Sequence, residues 1–562
     1  MKKSAWIPFI IGIILRLPFI NAPMLDAFVN MRQTYTAGFT RYMIQKGVTL
    51  SNLISAKSIT ITHNALEVPV YNLLTVFLAR IFGDEHFIYR PTSLIYWILG
   101  AFYFHYLCKR VYGRDEASYI IWVYVLLPLS VFIGRYYHPE ILSILLSMAV
   151  VFHFYFFLEK NKPFDLLISI VALTLALLIR AAHFHLFIVL FILASTKYRA
   201  RLFLKPWLYA FLLPFAAFIL WIKFGSDLST VSRMYQLLGS PLFRFTPVFL
   251  GMMIFNRLGG LILSPVGLPL LVLALASGKN RKSRDFEFAW FYAALAFLFI
   301  VARGNFMNFH YQAAVILPTT ILIGRFLYQL SSGTLHDSWS DAWIAIPSAI
   351  KIIALSIYIF LDILMIYFFY SFPWDYYTIS ETLSGLNIKI ILLIFIISQI
   401  TLIPTIVFLS RLYSRIRITS SPKLAIVFLI LILITGLFPL APMYRVDTDY
   451  LKAAKTVDEV LPDNAKIVFS GKKTDADPLI FYSNRWGYEF NPVDLYYYGF
   501  AVKNKFPDVR LEYFVIMNEN KHIQQDHPFS GNIMNLLNQL DIVYSDSIIT
   551  IYSLEKMNKS EN

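Results

Sequence analysis

The chain has 562 residues, of which 58% are apolar and only 15% are charged. A soluble chain carries about a quarter charged residues, because water must wet its surface. The composition therefore excludes a soluble protein, and the single cysteine, Cys108, excludes a disulfide framework and a cysteine-based metal site. The net charge of +15 is the excess expected in the cytoplasmic loops of a membrane protein, so it does not indicate a nucleic-acid partner. The sequence predicts a polytopic α-helical membrane protein.

Thirteen apolar stretches meet or approach the roughly 20 residues that a helix needs to cross a bilayer. Lys2 and Lys3 precede the first stretch, and later turns at 109–114, 160–162, 197–205, 279–284 and 411–417 are basic. Because Lys and Arg concentrate in cytoplasmic loops, we expect a cytoplasmic N-terminus and an external position for everything after Tyr444. The predicted spans are 4–20, 91–107, 117–134, 140–158, 164–180, 182–196, 206–222, 258–276, 287–303, 311–329, 343–370, 387–409 and 423–441.

Residues 69–82 form an apolar stretch that is too short to cross the bilayer. Its apolar side chains fall on one face of a helix, which is typical of a helix lying in the membrane interface. That face consists of Val70, Leu73, Leu74, Phe77, Leu78 and Ile81. Counting the stretch as a crossing would place every later basic turn outside the cell. Residues 21–90 are therefore predicted to form one long external loop within a transmembrane domain that covers 1–442.

Charged residues become more frequent after residue 442, and helix-like and strand-like segments alternate there. The segment TDYLKAAKTVDEVL predicts an amphipathic helix, and GNIMNLLNQL predicts another. The segments KIVFSG, LEYFVIM, DIVYS and IITIYSL predict strands. Residues 445–562 are therefore predicted to form a small external soluble α/β domain.

Polar side chains cluster in the first external loop and at the other predicted external ends of the spans. A loop as long as 21–90 in a compact protein is usually functional. A reaction on a lipid-linked substrate needs a cation for the lipid phosphate and a carboxylate near the reacting hydroxyl. Asp26 follows the first span closely, and Arg135, Arg303 and His310 lie at comparable depth on other spans, where they are candidates for binding phosphate oxygens.

Several short motifs resemble the GT-C glycosyltransferases, and most closely the bacterial family-39 branch that is similar to protein mannosyltransferases. The resemblance covers roughly residues 1–330 in order and extends more weakly to the soluble tail. The motifs are Asp26; Arg32-Gln33-Thr34-x-Thr36-Ala37; Glu67-x-Pro69-x-Tyr71; Phe82-Gly83-x-Glu85 with Arg90 and Ser93; Arg135-x-x-His138-Pro139-Glu140; and His310-Tyr311 with Pro318.

The resemblance implies an inverting transfer of a sugar from a polyprenyl-phosphate donor to a lipid, glycan or protein acceptor outside the cell. It implies that Asp26 is the base or orients the acceptor, and that Glu67 is a second acidic site residue. The chain departs from the family pattern at Tyr35, where relatives often carry a polar Asp or Gln. The candidate substrate-binding residues are Arg32, Gln33, Tyr71, Arg90, Arg135, His138, Glu140, Arg303, His310 and Tyr311.

A transporter or lipid flippase with an external binding domain is the alternative. A transporter would show ionisable residues near the middle of the membrane in both halves, whereas this chain has one such acid, Asp362, and no repeat. A lipid-oligosaccharide polymerase or ligase shares the donor chemistry, but its large loop is expected late in the chain. The pairs His138 with Glu140 and His183 with His185 lack a third ligand at a fixed spacing, so no metal or other cofactor is predicted.

Overall fold

A computed structural model of the chain describes residues 6–26, 30–55, 58, 67–225, 235–246, 249–250, 252–276, 286–333, 422–470, 476–485, 487–489, 511–518, 535 and 537–555. The predicted spans 343–370 and 387–409, with Asp362, lie outside these residues. So do Lys2 and Lys3, the basic turns at 279–284 and 411–417, and half of the helix predicted at 531–540.

Helices make up most of the described chain. The α-helices are Ile7–Arg16, Asn30–Lys46, Leu50–Ser55, Asn72–Phe82, Tyr89–Tyr112, Arg114–Leu126, Pro128–Ile133, Glu140–Lys160, Pro163–Ile179, His185–Tyr198, Pro206–Tyr209, Leu212–Gly225, Ser264–Ala276, Phe286–Ile300, Ala302–Met307, Ala313–Ser332, Pro422–Leu440, Asp449–Val460 and Asp477–Tyr482. Short 3₁₀ turns cover His86–Ile88, Ala181–Phe184, Arg199–Leu204, Phe243–Phe245, Phe309–Gln312 and Ala441–Tyr444, and Met252–Ile262 is π-helical.

Five of the described helical segments are long and apolar enough to cross a membrane: Glu140–Lys160, Ala181–Leu204, Pro206–Phe224, Phe309–Ser332 and Pro422–Leu440. Shorter apolar helices coincide with the predicted spans near 4–20, 164–180 and 287–303. The prediction of a multi-pass membrane protein is confirmed, while the count of thirteen spans and the direction of the termini stay predictions.

Two predicted spans are interrupted. The span predicted at 117–134 breaks at Leu127, whose φ of −59° and ψ of 131° are extended, and a new helix begins at Pro128. Proline has no N–H and disfavours helical backbone at the residue before it, which explains the break. At the span predicted at 258–276, Met252–Ile262 and Ser264–Leu275 meet at an angle of 106°.

The stretch predicted as interfacial forms the helix Asn72–Phe82. Its buried face carries Asn72 and Thr75, and Phe77 and Ile81 are each 59% exposed. An exposed apolar stripe beside a buried polar one is what a helix contacting lipid needs. The interfacial position itself stays a prediction.

The C-terminal part contains a mixed five-stranded sheet in the order β2-β1-β3-β5-β4. The strands are β1 Ile467–Ser470, β2 Gly487–Glu489, β3 Tyr513–Met517, β4 Asp541–Ser545 and β5 Ile549–Ser553. Strand β1 is parallel to β2 and β3, whereas β5 is antiparallel to β3 and β4. Four of the strands coincide with the strand-like segments of the sequence, and the short β2 is an addition to them.

The C-terminal part packs directly on the first loop. Arg41 forms an ion pair with Asp84 at 2.9 Å, donates to the carbonyl of Phe481, and places its guanidinium 3.9 Å from the centre of the Phe481 ring. The amide of Met24 donates to the hydroxyl of Tyr482 at 2.6 Å. The helix Asp477–Tyr482 is therefore seated on the residues that carry the candidate site.

Candidate active site

Asp26 lies at the centre of a closed cluster of charges. Its Oδ2 accepts from Gln33 Nε2 at 2.8 Å and from Arg90 Nη2 at 2.9 Å, and its Oδ1 accepts from Arg135 Nη2 at 3.0 Å. The three charged side chains are at most 1% exposed. An ionised carboxylate has about four acceptor positions, so three of those on Asp26 are occupied.

Residues after the transmembrane part cover this cluster. Val446 forms a β-bridge with Asp26, and the amide of Asp447 donates to the carbonyl of Leu25 at 2.8 Å. The ring of Tyr444 lies 3.9 Å from the Arg135 guanidinium. Asp26 is thus covered by residues that lie more than 400 positions after it in the sequence.

Glu67 belongs to a second cluster, in which its Oε1 accepts from the guanidinium groups of both Arg32 and Arg180. Arg180 also bonds to Glu140, with its Nε at 2.7 Å and its Nη2 at 2.6 Å from Oε1. Arg32 Nε donates to His138 Nε2 at 3.0 Å. Arg180 thereby joins Glu67, in the first loop, to Glu140, at the start of the helix Glu140–Lys160.

Aromatic rings surround this second cluster. The His138 and His310 rings have centroids 4.7 Å apart, and the guanidinium of Arg180 lies 4.8 Å from the centre of the Tyr311 ring. Burial, followed by the nearby His310, Arg180 and Arg32, lowers the pKa of His138 well below its usual range. His138 is therefore neutral at neutral pH and can accept the hydrogen bond from Arg32.

A cavity of about 490 Å³ opens beside the second cluster. Its polar lining residues are Glu67, Arg180, His185, Tyr235 and Tyr311. The remaining wall is largely apolar and includes Phe184, Ile188, Phe218, Leu237, Leu238, Phe297 and Ile300. A mostly apolar pocket with a few convergent polar groups is typical of a site for a small amphipathic ligand.

The structure brings most of the predicted site residues into these two clusters. Asp26, Gln33, Arg90 and Arg135 form the first, and Arg32, Glu67, His138, Glu140, His310 and Tyr311 belong to the second. Tyr71 is buried beside them, and its hydroxyl bonds to Ser93 Oγ at 2.6 Å.

Two predicted features are placed differently from the others. Arg303 is exposed next to Gly239 and does not reach either cluster. Tyr35, at the position where relatives carry a polar residue, is buried: it packs on Phe39 and lies 5.1 Å below the guanidinium of Arg32. An aromatic ring in contact with Phe39 and Arg32 therefore occupies that position of the family pattern.

Sequence reasoning placed Arg180 among the polar groups at the external span ends but did not include it among the site residues. Arg180 closes the predicted span 164–180, where an arginine is ordinarily read as reaching for the membrane surface. Its partners lie 40 and 113 residues away in the chain, so no local spacing indicates them. The sequence did show that Arg180 ends a predicted span on the same side as the acid-containing first loop, and this could have indicated an ion pair with an acid of that loop.

The fold has counterparts among solved structures. ArnT from Cupriavidus metallidurans bound to undecaprenyl phosphate matches with a TM-score of 0.59 at 13% identity, over 98% of each chain. The same protein in the apo state gives 0.55 at 13% identity, again over 98% of each chain. The oligosaccharyltransferase of Archaeoglobus fulgidus gives 0.49 at 12% identity, over 92% of this chain and 69% of that one. The likeness to ArnT shows a shared fold. No curated protein sequence matches the chain.

Residues 66–222 match the sequence model of the family described as dolichyl-phosphate-mannose-protein mannosyltransferase. The match makes residues 66–222 similar to that family, over less than a third of the chain. The matched segment contains Glu67, Arg90, Arg135, Glu140 and Arg180. Both charge clusters therefore draw partners from it, and Asp26 and Arg32 precede it in the chain.

Proposed function

We propose that the chain is an inverting glycosyltransferase that moves a sugar from a polyprenyl-phosphate donor to an acceptor on the external face of the membrane. The cavity beside Arg180 is the observation that carries this proposal. Its apolar wall suits a prenyl chain, and its polar wall suits the phosphate and the sugar. The undecaprenyl phosphate bound to ArnT, which shares the fold, supports a polyprenyl-phosphate partner. The acceptor is a lipid, a glycan or a protein.

In the proposed reaction, the acceptor hydroxyl oxygen attacks the anomeric carbon from the side opposite the phosphate. The bond between the anomeric carbon and the phosphate oxygen breaks, and its electron pair leaves with the lipid phosphate. The hydroxyl proton passes to a carboxylate. Arg180, which borders the cavity, stabilises the negative charge that develops on the phosphate. A phosphate leaves without being protonated, so one carboxylate suffices.

Two acids are candidates for that carboxylate. Asp26 is the base that the family resemblance implies, and this assignment stays a prediction. The geometry favours Glu67, because Glu67 borders the cavity whereas Asp26 is enclosed by Arg90, Arg135 and Gln33. For Asp26 to meet an acceptor hydroxyl, its covering segment at Val446 must move.

Transfer of a labelled sugar from a polyprenyl-phosphate donor by the purified protein tests the function. Arg180→Gln is expected to lower the transfer rate by about a hundredfold, which is the usual effect of losing one charge-stabilising donor. Arg303→Gln is the matched variant, since Arg303 is exposed and is not among the residues that line the cavity. Equal losses in the two variants would contradict the proposed phosphate site. Wild-type protein that binds the lipid but transfers no sugar to any acceptor would favour the transporter.

The proposed external face can be tested by cysteine labelling in intact cells. The native Cys108 is buried, so an introduced cysteine reports alone. Glu85→Cys places the probe in the first loop, and Lys162→Cys places it in a predicted cytoplasmic turn; both positions are exposed. We expect a membrane-impermeant reagent to label position 85 and leave position 162 unlabelled. The opposite pattern would contradict the external assignment.

A further inference from the structure

Glu67 occupies the position that an anionic ligand would take at the polar wall of the cavity. Its Oε1 accepts from Arg32 and Arg180 together, so two guanidinium groups converge on one oxygen. Glu67 and Arg180 both line the cavity. A phosphate oxygen entering the cavity meets an arginine whose hydrogen bonds are already directed at a carboxylate.

Glu140 differs from Glu67 although both bind Arg180. Glu140 is 2% exposed and does not line the cavity, whereas Glu67 is 12% exposed and does. Glu140 accepts a hydrogen bond from Arg180 Nε and forms an ion pair with Nη2, and both contacts orient the guanidinium from the side away from the cavity. Glu140 is thus a fixed partner of Arg180, and Glu67 is the partner on the side from which a ligand arrives.

We propose that Glu67 is an exchangeable internal anion: the phosphate of the lipid substrate replaces its carboxylate on Arg180, and the released carboxylate then serves the acceptor hydroxyl. The inference rests on the proposed function. Guanidinium groups bind phosphate and carboxylate oxygens with similar geometry, so one can replace the other without a change in the backbone. Arg32 keeps Glu67 within reach of the cavity during the exchange.

The exchange links donor binding to the reaction. While Glu67 bonds to both arginines, its Oε1 already accepts two hydrogen bonds. When phosphate takes Arg180, Oε1 of Glu67 loses one of these donors and can accept from the acceptor hydroxyl instead. The carboxylate is therefore activated only when a donor is bound, which limits loss of sugar to water.

The test is the affinity of the full-length protein for undecaprenyl phosphate in detergent, measured together with sugar transfer. Glu67→Gln removes the competing carboxylate and keeps the side-chain shape. We expect about tenfold tighter binding, the equivalent of one charge-assisted hydrogen bond that no longer has to be displaced. We also expect a transfer rate lowered by at least about a hundredfold, since the base is lost. Tighter binding with slower turnover is a combination that a purely structural role does not give.

Glu140→Gln is the matched control, because it removes the same charge from the same guanidinium on the side away from the cavity. A gain in affinity that is clearly larger for Glu67→Gln than for Glu140→Gln supports the exchange. Equal gains, or no gain for Glu67→Gln, would overturn it while leaving the proposed function in place. Wild-type protein that does not bind undecaprenyl phosphate would overturn the proposed function as well.

A second variant covers the case in which Glu67→Gln fails to fold. Glu67→Asp keeps the charge but withdraws the carboxylate by about 1.5 Å, the length of one carbon–carbon bond. It then no longer reaches both arginines, so we expect affinity between those of wild type and Glu67→Gln. Affinity equal to that of wild type would count against the exchange.

Discussion

Replacement of Asp26 by asparagine is expected to destabilise the protein as well as to slow the reaction. Asparagine preserves the shape of the side chain but carries an amide group in place of one carboxylate oxygen. In either orientation, that NH₂ faces at least one guanidinium group, because Arg90 and Arg135 donate to different oxygens at 2.9 and 3.0 Å. Two buried cations then share one neutral acceptor.

The magnitude follows from burial. Arg90 and Arg135 are 0% and 1% exposed, so water cannot replace the lost anion. Removing one partner of a buried ion pair costs about 3–5 kcal/mol. Glu67→Gln is the comparison, because Glu67 is partly exposed and its loss still leaves Glu140 on Arg180. We expect a melting temperature in detergent at least about 5 °C lower for Asp26→Asn, and a much smaller change for Glu67→Gln.

The assay combines thermal unfolding, followed by tryptophan fluorescence, with sugar transfer at a temperature where both variants are folded. An unchanged melting temperature with transfer abolished would refute the structural reasoning, and it would favour Asp26 as the base. If both quantities are unchanged, Asp26 has neither role. A lower melting temperature with transfer largely intact in the folded protein would make Asp26 an anchor for the two arginines.

Three further predictions follow from other parts of the structure. Arg41→Ala removes the ion pair to Asp84 and the contacts to Phe481. We therefore expect faster proteolysis between the helix Pro422–Leu440 and the first strand of the sheet. Lys452→Ala removes only the exposed ion pair with Asp449 and should leave the digestion pattern unchanged. Burial lowers the pKa of His138, so the unfolded chain binds a proton at this residue more readily than the folded chain does. The contribution of His138 to the free energy of unfolding is complete above about pH 6.5 and falls as the pH drops below it, by up to about 1.4 kcal/mol per pH unit. His138→Gln should flatten this fall when the melting temperature is measured as a function of pH. A Cβ at Gly324 would lie 2.5 Å from Ile120 Cα, so Gly324→Ala should lower the free energy of unfolding by about 1–3 kcal/mol. A Cβ at Gly100 would lie 3.9 Å from Leu145, so Gly100→Ala should change the free energy of unfolding little. Equal melting temperatures for the two variants would contradict this packing.

The helical part of the fold could be predicted because a bilayer imposes a simple length and polarity rule on each span. Glu140–Lys160 and Pro422–Leu440 lie within two residues of the predicted boundaries. The break at Leu127 was missed, although Pro128 was visible, since prolines also occur inside intact spans; Pro318 and Pro439 do so here. The bend between Ile262 and Ser264 was missed as well, although Gly259, Gly260 and Pro265 flank it and are ordinary signals of a helix break.

The site could be predicted only as far as its residue types. The sequence indicated Asp26, Glu67 and the nearby arginines, because charged groups beside apolar spans are costly and therefore informative. It did not indicate which cation pairs with which acid. Asp26 pairs with arginines 64 and 109 residues away, and periodicity carries no information on such contacts. The enclosure of Asp26 by Tyr444 and Val446 depends on how the C-terminal part is seated.

The charges of the two clusters also bear on how product leaves. Arg32, Arg90, Arg135 and Arg180 face Asp26, Glu67 and Glu140, which leaves one positive charge in excess. A sugar-bearing polyprenyl phosphate is a diester with one negative charge, and it balances that excess. The product is a monoester with a charge of about −1.5 to −2, and Arg180 attracts it more strongly than the donor. Glu67 carries the proton of the acceptor hydroxyl after transfer. Once that proton has passed to the monoester or to water, return of the Glu67 carboxylate to Arg180 offsets that attraction, so the same exchange that admits the donor also favours release of the product.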